Sequence, residues 1–419
     1  MLRFRTYAIV AAVVVLNAAA WAISLSTFPD AGLLPARHVA AEFLSSTAII
    51  IMCANLLLAT RLRPFESLFG GLDKLFTAHR FDGLAVATII FCHFLLMPES
   101  PGWVPSKLIG YPNVTLVIAS VMLAIAPRSP WRRFVTLRYQ DWKLEHRFMG
   151  VFVAAAVVHS VVAHAIILAL PLMRVWVYGV AALGLAAYAY RELVERFVAE
   201  RHRYRVTEPR HASGDVTEIP LEPVAHPIAH RAGQFAFVRF ENGPSREQHP
   251  FTISMAPCDG HLRFSVKASG DYTRALQTHL AAGSLARIEG PYGRFESSRG
   301  GVRQLWLAGG IGITPFLAFL GDVNPEHDLR LVWIVHDESD VFYRDEIDRA
   351  VAENPNVHAD IHVTSVSGRL RLADLDLADP GELSVYICGP VPMRDAFVGQ
   401  LLELGVRRGR IFYEEFSLR

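Results

Sequence analysis

The run from Trp142 to Ala165, WKLEHRFMGVFVAAAVVHSVVAHA, restricts the possible folds more than any other stretch of the chain. An apolar run of about twenty residues covers the roughly 30 Å hydrocarbon core of a bilayer as one helix. This run also carries His146 at its start, His159 near its far end and His164 beyond. Ionisable side chains inside a span are rare and mark function. A second run, HRFDGLAVATIIFCHFLL, places His79 and His93 in the same way.

At about 1.5 Å per residue, His79 and His93 stand ~21 Å apart and His146 and His159 ~20 Å apart. Two adjacent parallel helices with matched separations can hold two haems, one above the other. Each iron then takes one imidazole from each helix, imidazole being a common axial ligand. Fourteen residues return within ~40° of the starting face, so the first pair is aligned. Thirteen miss by ~140°, so the second helix needs a bulge, a tilt or a differently turned ligand. His146 with His164 is better aligned but spans ~27 Å and loses the match. His159 is therefore preferred, and His164 is read as a bystander at the outer surface. The plain alternative is four core histidines bonded to carbonyls. Pairing at matched separation on two spans weighs against it.

The 419 residues are 52% hydrophobic with a net charge of +1, which suggests two or three domains, a membrane portion and no nucleic-acid partner. Four cysteines show neither zinc spacing nor a disulfide framework, and Cys53 and Cys92 lie in apolar runs as packed thiols. Apolar runs are confined to the first half, with spans expected at 6–27, 39–60, 79–97, 111–127, 146–169 and 172–190. The first also fits a signal peptide, with small residues at Ala18–Ala20, but it is long for a signal's apolar core and is read as an uncleaved helix. Arg3 and Arg5 precede the first span, and Arg61, Arg63, Lys74 and Arg80 lie between the second and third. Arg128, Arg132, Arg133, Arg138, Lys143 and Arg147 lie between the fourth and fifth, whereas the loops 28–38 and 98–110 hold only Arg37 and Lys107. Basic loops mark the cytoplasmic side. The C-terminal half is thus expected in the cytoplasm, and the third and fifth spans both run outward. His79 with His146 would hold the inner haem, and His93 with His159 the outer one.

From about 202 to 297, short alternating runs such as QFAFVRF, HLRFSVKA and SLARIEG are separated by Gly, Pro and Asn, which suggests a small antiparallel barrel. Within it, His249 to Ser254 reads as a strand with polar positions toward a ligand. Lys267 precedes a glycine-containing turn into a helix, and backbone N–H groups at Gly270–Thr273 suit a pyrophosphate. From about 301 the pattern becomes strand, loop, helix, pointing to a parallel sheet covered by helices. Its first unit carries Gly309, Gly310, Gly312, Thr314 and Pro315. The glycines let backbone approach phosphates, and Pro suits a first helical position. The Rossmann fingerprint is incomplete, since its third glycine is absent. A second strand ends at His336 and Asp337, and a third at Cys388, Gly389 and Pro390. These strand ends would line one edge of the sheet, where α/β proteins bind ligands.

Four membrane histidines followed by HPFTIS, GPYGRF, AGGIGITPF, YICGP and a terminal FYEEFSLR resemble the NADPH oxidase and ferric reductase family, from about residue 40 to Arg419. The order of motifs is similar to bacterial members, which lack regulatory extensions. The resemblance implies a six-helix all-α transmembrane bundle (1–195), with a ferredoxin-reductase-like half beyond it. That half would be an FAD-binding antiparallel β-barrel (196–299) and an NAD(P)H-binding α/β lobe (300–419).

It further implies that His249, Pro250, Phe251 and Thr252 contact the flavin ring. Lys267 with Gly270, Asp271, Tyr272 and Thr273 would hold the pyrophosphate of FAD. Gly309, Gly310, Gly312, Ile313 and Thr314 would cradle the nicotinamide cofactor's phosphates. Cys388, Gly389 and Pro390 would sit near the nicotinamide, with Phe416 as the aromatic stacked on the flavin. NADPH-preferring relatives carry Arg where this chain has His336, a poor partner for a 2′-phosphate. Arg369 would compensate, and NADPH against NADH stays open.

The implied activity is transmembrane electron transfer from NAD(P)H through FAD and two b-type haems. The acceptor is dioxygen, giving superoxide, or a ferric chelate. No obligate protein partner is expected, though a cytochrome subunit feeding one is the rival reading. Arg37, His38, Glu42, Glu99 and His164 form either a metal landing site or, as preferred, solvated span ends.

Overall fold

The computed structural model describes residues 2–97, 104–126, 139–195, 202–213, 215–241 and 247–413. Phe416, Glu99 and the basic residues Arg128, Arg132, Arg133 and Arg138 lie outside them. The chain divides into two compact units, Met1–Arg196 and Phe197–Arg419.

Six helices of the first unit are long and apolar enough to cross a membrane. The unit is built from α1 (Leu2–Ser26), α2 (Ala36–Ala59), the short α3 (Arg63–Phe69), α4 (Leu72–Leu96), α5 (Pro105–Ile125), α6 (Tyr139–His146), α7 (Met149–Val162) and α8 (Pro171–Ala189). Several ends differ from expectation, the start of the fifth span among them, at Tyr139 in place of 146. Helix α4 starts at Leu72 and not at 79, because its first two turns are amphipathic and continue the helix past the apolar run. Helix α5 starts at Pro105, in the first turn where a missing N–H costs nothing. The fifth span ends at Val162, since His164 adopts a left-handed φ of 50° and a 3-10 turn, Ile166–Leu168, leads into α8.

Of the bulge, tilt or turned ligand left open for the fifth span, the structure shows a break in the helix directly after His146. Helix α6 stops there, Arg147 and Phe148 form a turn, and α7 begins at Met149. Polar side chains tie the helices. Asn17 on α1 donates to Ser46 and Thr47 on α2 at 3.0 and 2.9 Å, and Trp21 Nε1 donates to Ser46 at 3.1 Å. Gly184 admits Cys53 of α2, whose Cβ lies 2.6 Å from where a side chain would begin.

The second unit holds two sheets. Strands β1 (Arg203–Val206), β2 (Arg210–Ser213), β3 (Val216–Ala225), β4 (Phe235–Phe240), β5 (His249–Thr252), β6 (Leu262–Lys267) and β7 (Leu285–Tyr292) form a seven-stranded antiparallel sheet. Its path runs β2-β3-β1-β7-β4-β5, with β6 also on β3. Where a barrel is expected the structure shows this sheet, and among the described residues one isolated bridge, Ile253–Phe264, lies between the end of β5 and β6. Helix α9 (Asp271–His279) follows β6.

The other sheet is fully parallel in the order β10-β9-β8-β11-β12. Its strands are β8 (Arg303–Gly309), β9 (Asp328–Val335), β10 (Val357–Val363), β11 (Ser384–Cys388) and β12 (Ile411–Tyr413). Between them run α10 (Thr314–Leu320), α11 (Arg344–Glu353), the one-turn α12 (Thr364–Ser367) and α13 (Val391–Glu403). Successive side chains on a strand point to opposite faces. Trp306, Ala308, Trp333 and Tyr386 accordingly join the α10 and α11 core, whereas Leu305, Leu307, Val332 and Ile387 join Phe397 and Leu401 of α13. Burial on both faces explains why β11, Ser-Val-Tyr-Ile-Cys, is buried throughout.

Candidate functional site: histidine pairs and a glycine-lined strand edge

Helix α4 packs chiefly on α2 and α1, and α7 on α5 and α8, while His146 ends the short helix α6 that precedes α7. The imidazoles of His79 and His146 face each other with ring centroids 6.0 Å apart and planes at 77°. Metal–imidazole bonds of about 2 Å put two rings on one metal with centres roughly 6 Å apart. The Nδ1 atoms of both rings are buried without a hydrogen-bond partner among the described residues, and Trp142 stacks on His146 at 5.3 Å.

At the other end, His93 Nδ1 donates to the Ala41 carbonyl at 2.8 Å and His159 Nδ1 to the Ser106 carbonyl at 2.9 Å. A proton fixed on Nδ1 leaves Nε2 as the basic nitrogen, which is how ligand histidines are oriented. Gly110 clears room for this ring, since a Cβ there would lie 2.6 Å from His159 Cε1. No group of three or more His, Cys, Asp or Glu among the described residues converges on a metal position. The donor set is two pairs of imidazoles, which fits haem better than a bare metal ion.

The remaining polar residues near His93 are tied to the scaffold. Arg37 donates to the Leu96 and Leu95 carbonyls at 2.7 and 3.1 Å, closing the C-terminus of α4. Glu42 accepts from the Ile166 and Ile167 N–H groups at 2.7 and 3.2 Å and pairs with His38 at 3.3 Å. His164 is exposed.

In the second unit the strand order reverses between β8 and β11, a switch point at which open α/β sheets bind ligands. There the glycines interlock. A Cβ on Gly312 would stand 2.3 Å from the Cys388 carbonyl oxygen, and one on Gly389 would stand 3.1 Å from Gly309 Cα. Gly310 is different: its φ is 52°, open space surrounds it, and its carbonyl accepts from Trp333 Nε1 at 2.9 Å. Ile313 and Thr314 are buried at the start of α10. Cys388 is buried in the same core cluster as Ile313 and Phe316, so its backbone forms the edge and its thiol packs beneath. His336 is exposed at the end of β9, and its carbonyl accepts from Ser365 N–H at 3.0 Å. Arg369 is exposed just beyond α12, on the segment that docks there.

On the first sheet, β5 carries His249, Pro250, Phe251 and Thr252. The His249 ring stacks on Tyr272 at 3.8 Å, and its Nε2 lies 2.7 Å from Glu247 Oε2. The Tyr272 hydroxyl is buried without a hydrogen-bond partner among the described residues. Burial, then the Glu247 carboxylate, pushes its pKa up. An orphaned buried donor beside a helix N-terminus fits a polar ligand such as FAD. Thr273 Oγ1 accepts from Ser269 and Gly270 N–H at 3.0 and 2.9 Å, which fixes the turn before Asp271. Lys267 pairs with Asp215 at 3.1 Å in this arrangement.

Three features went unread in the sequence. Asp82 on α4 is fully buried with neither oxygen partnered among the described residues. An acid within an apolar run was the available signal. The second is the scaffold role of Arg37 and Glu42. The third joins the lobes: Arg263 on β6 forms a bidentate pair with Glu346 of α11 at 2.9 and 2.8 Å and stacks over Tyr343. Tyr343 donates to Glu218 at 3.0 Å. Arg263→Ala is expected to cost about 2 kcal/mol, less than for a fully buried pair, because Glu346 is 31% exposed. A thermal midpoint measured with Arg263→Lys as partial rescue checks this.

Residues 203–296 match the FAD-binding domain family and 306–398 the oxidoreductase NAD-binding domain family. The chain is 29% identical over 246 residues to the reductase component of propane 2-monooxygenase from Rhodococcus jostii, covering 51% of this chain and 63% of that protein. It is 26% identical over 231 residues to a flavohemoprotein of Pseudomonas aeruginosa, covering 51% and 58%. The flavohemoglobin structure from Malassezia yamatoensis, with bound FAD and heme, superposes with a TM-score of 0.50 over 90% of this chain and 96% of its own at 19% identity, a likeness of fold alone. The chain thus spans about six tenths of the length of these curated relatives. In its second unit it carries an FAD-binding domain and an oxidoreductase NAD-binding domain. The same chain carries six helices of membrane-spanning length.

Proposed function

We propose that the chain is a transmembrane flavocytochrome of the NADPH oxidase and ferric reductase kind. It takes electrons from cytoplasmic NAD(P)H and delivers them across the membrane to dioxygen, giving superoxide. The single observation that carries this reading is the His79–His146 pair, which meets at metal-bridging distance in a chain that also holds an oxidoreductase module. His79 with His146 and His93 with His159 would hold two b-type haems, which together with a bound flavin would supply the conversion of a two-electron hydride into single-electron transfer.

The protein's own part is placement. The Gly309–Gly312 turn lets backbone close on the dinucleotide phosphates, and Gly389 keeps the neighbouring turn equally near. His249 to Thr252 present one sheet edge to the flavin ring, with the His249–Tyr272 stack behind it. The Ala41 and Ser106 carbonyls hold His93 and His159 with Nε2 available for iron. Dioxygen is favoured over a ferric chelate because Arg37 and Glu42 serve helix ends, which commits the carboxylate beside His38 among the described residues to the scaffold.

The test uses purified protein in detergent with added FAD, comparing NADH with NADPH. Dismutase-sensitive cytochrome c reduction in air is the expected result. Rapid anaerobic ferrous production with little superoxide would assign ferric reduction instead. Absence of a haem spectrum would overturn the electron path, and dependence on an added protein would restore the cytochrome-subunit reading. Gly110→Ala is expected to perturb one haem and spare the other, because the new methyl meets the His159 ring. The reduced absorbance spectrum reports this, with the flavin content as control.

A further inference from the structure

Along α4 the residues Leu75, Ala78, Asp82 and Val86 form one buried stripe, and His79 and His93 lie on the same seam. Asp82 stands three residues from His79 and eleven from His93, axial separations of ~4.5 and ~16 Å. It is fully buried, and neither carboxyl oxygen has a hydrogen-bond partner among the described residues. Helix α4 packs chiefly against α1, α2, α3 and α5, and among the described residues no charged side chain is recorded as acting on Asp82. The titratable groups flanking it on its own helix are His79 and Arg80, with His146 facing His79. Asn55 of α2 reaches the same level: its Nδ2 donates to the His79 carbonyl at 3.2 Å, and its buried Oδ1 has no partner among the described residues.

A carboxyl group buried without a partner is expensive unless something supplies a compensating charge or a proton. Resting on the haem reading above, we propose that Asp82 is the redox-linked proton acceptor of the His79–His146 centre. In the ferric state the centre carries one positive charge, which the Asp82 carboxylate balances. When one electron arrives from NAD(P)H by way of the flavin, that charge is cancelled. The carboxylate then takes one proton from water and becomes a neutral acid. One electron and one proton enter together, so the apolar interior gains no net charge.

The experiment is a spectroelectrochemical titration of both haems in the full-length protein in detergent, at several pH values, for wild type, Asp82→Asn and Asp82→Glu. In wild type one of the two midpoints should fall as pH rises, approaching tenfold in the reduction equilibrium per pH unit, about 59 mV for a one-electron couple. Asp82→Asn should flatten that dependence, and Asp82→Glu should restore it. A wild-type protein with two haems and no pH dependence overturns the proposal, whether or not either variant folds. So does an Asp82→Asn protein that keeps the wild-type slope. Wild-type protein without haem overturns the parent reading, an outcome visible in the first spectrum and distinct from a surviving slope.

Discussion

Replacing His146 with alanine should remove one of two haem signals and stop electrons from reaching an acceptor beyond the membrane unit, while NAD(P)H-driven reduction of a soluble dye continues. The split follows from the architecture. The flavin and nicotinamide elements lie in a unit with its own two sheets and its own cores, so its chemistry needs no membrane histidine. His146, by contrast, has His79 as its facing ring and no hydrogen bond at Nδ1 among the described residues. On the proposed haem reading, losing it would leave one imidazole where the site supplies two. Changes in outer-shell partners of a ligand cost roughly 10–100-fold in affinity, and loss of the ligand itself costs more. His79→Ala should abolish the same signal, and His93→Ala and His159→Ala the other one. The measurement is the haem-to-protein ratio and the reduced spectrum, with dye reduction run on the same samples. Two intact haem signals in both His79→Ala and His146→Ala would remove the basis of the proposed electron path.

The six helices were legible because a membrane-length apolar run admits few other structures, whereas the thirteen-residue spacing left a bulge, a tilt or a turned ligand open and did not locate the break after His146. Helix ends were not. Hydropathy reports lipid contact, and α4 continues for two turns through Asp73 and Lys74, which are polar yet helical. Asp82 was passed over because the apolar background around it reads simply as a span, although the rule that singled out the histidines applies to it equally. The glycine turn after β8 was visible as a motif. Its contact with Cys388 was not, since it depends on β8 pairing with β11 from some eighty residues away. The Arg263–Glu346 pair was hidden for the same reason, being 83 residues apart in sequence.

Gly312→Ala is the second substitution with a large expected effect, and the contact explains why Gly310→Ala should be mild. The new methyl at 312 would lie 2.3 Å from the Cys388 oxygen and 2.6 Å from its carbonyl carbon, with the Gly389 nitrogen at 3.0 Å. These are backbone atoms, so no rotamer change relieves the clash. The turn must move away from a strand whose register it shares through the Ala308–Cys388 pairing. Overpacking of this kind costs typically 1–3 kcal/mol, and on the proposed reading the displaced turn would no longer bring its N–H groups to a phosphate. NAD(P)H oxidation should therefore fall at least tenfold, mainly through a raised KM, with a lowered thermal midpoint. At Gly310 only the left-handed φ of 52° opposes a side chain, since nothing lies within 4 Å. Alanine there should cost about 1 kcal/mol and leave the fold intact. Equal loss of cofactor oxidation in the two variants would mean that both glycines serve the ligand directly. Loss confined to Gly312→Ala would mean that the site depends on the interlocked strand ends, and that binding and folding share this one contact.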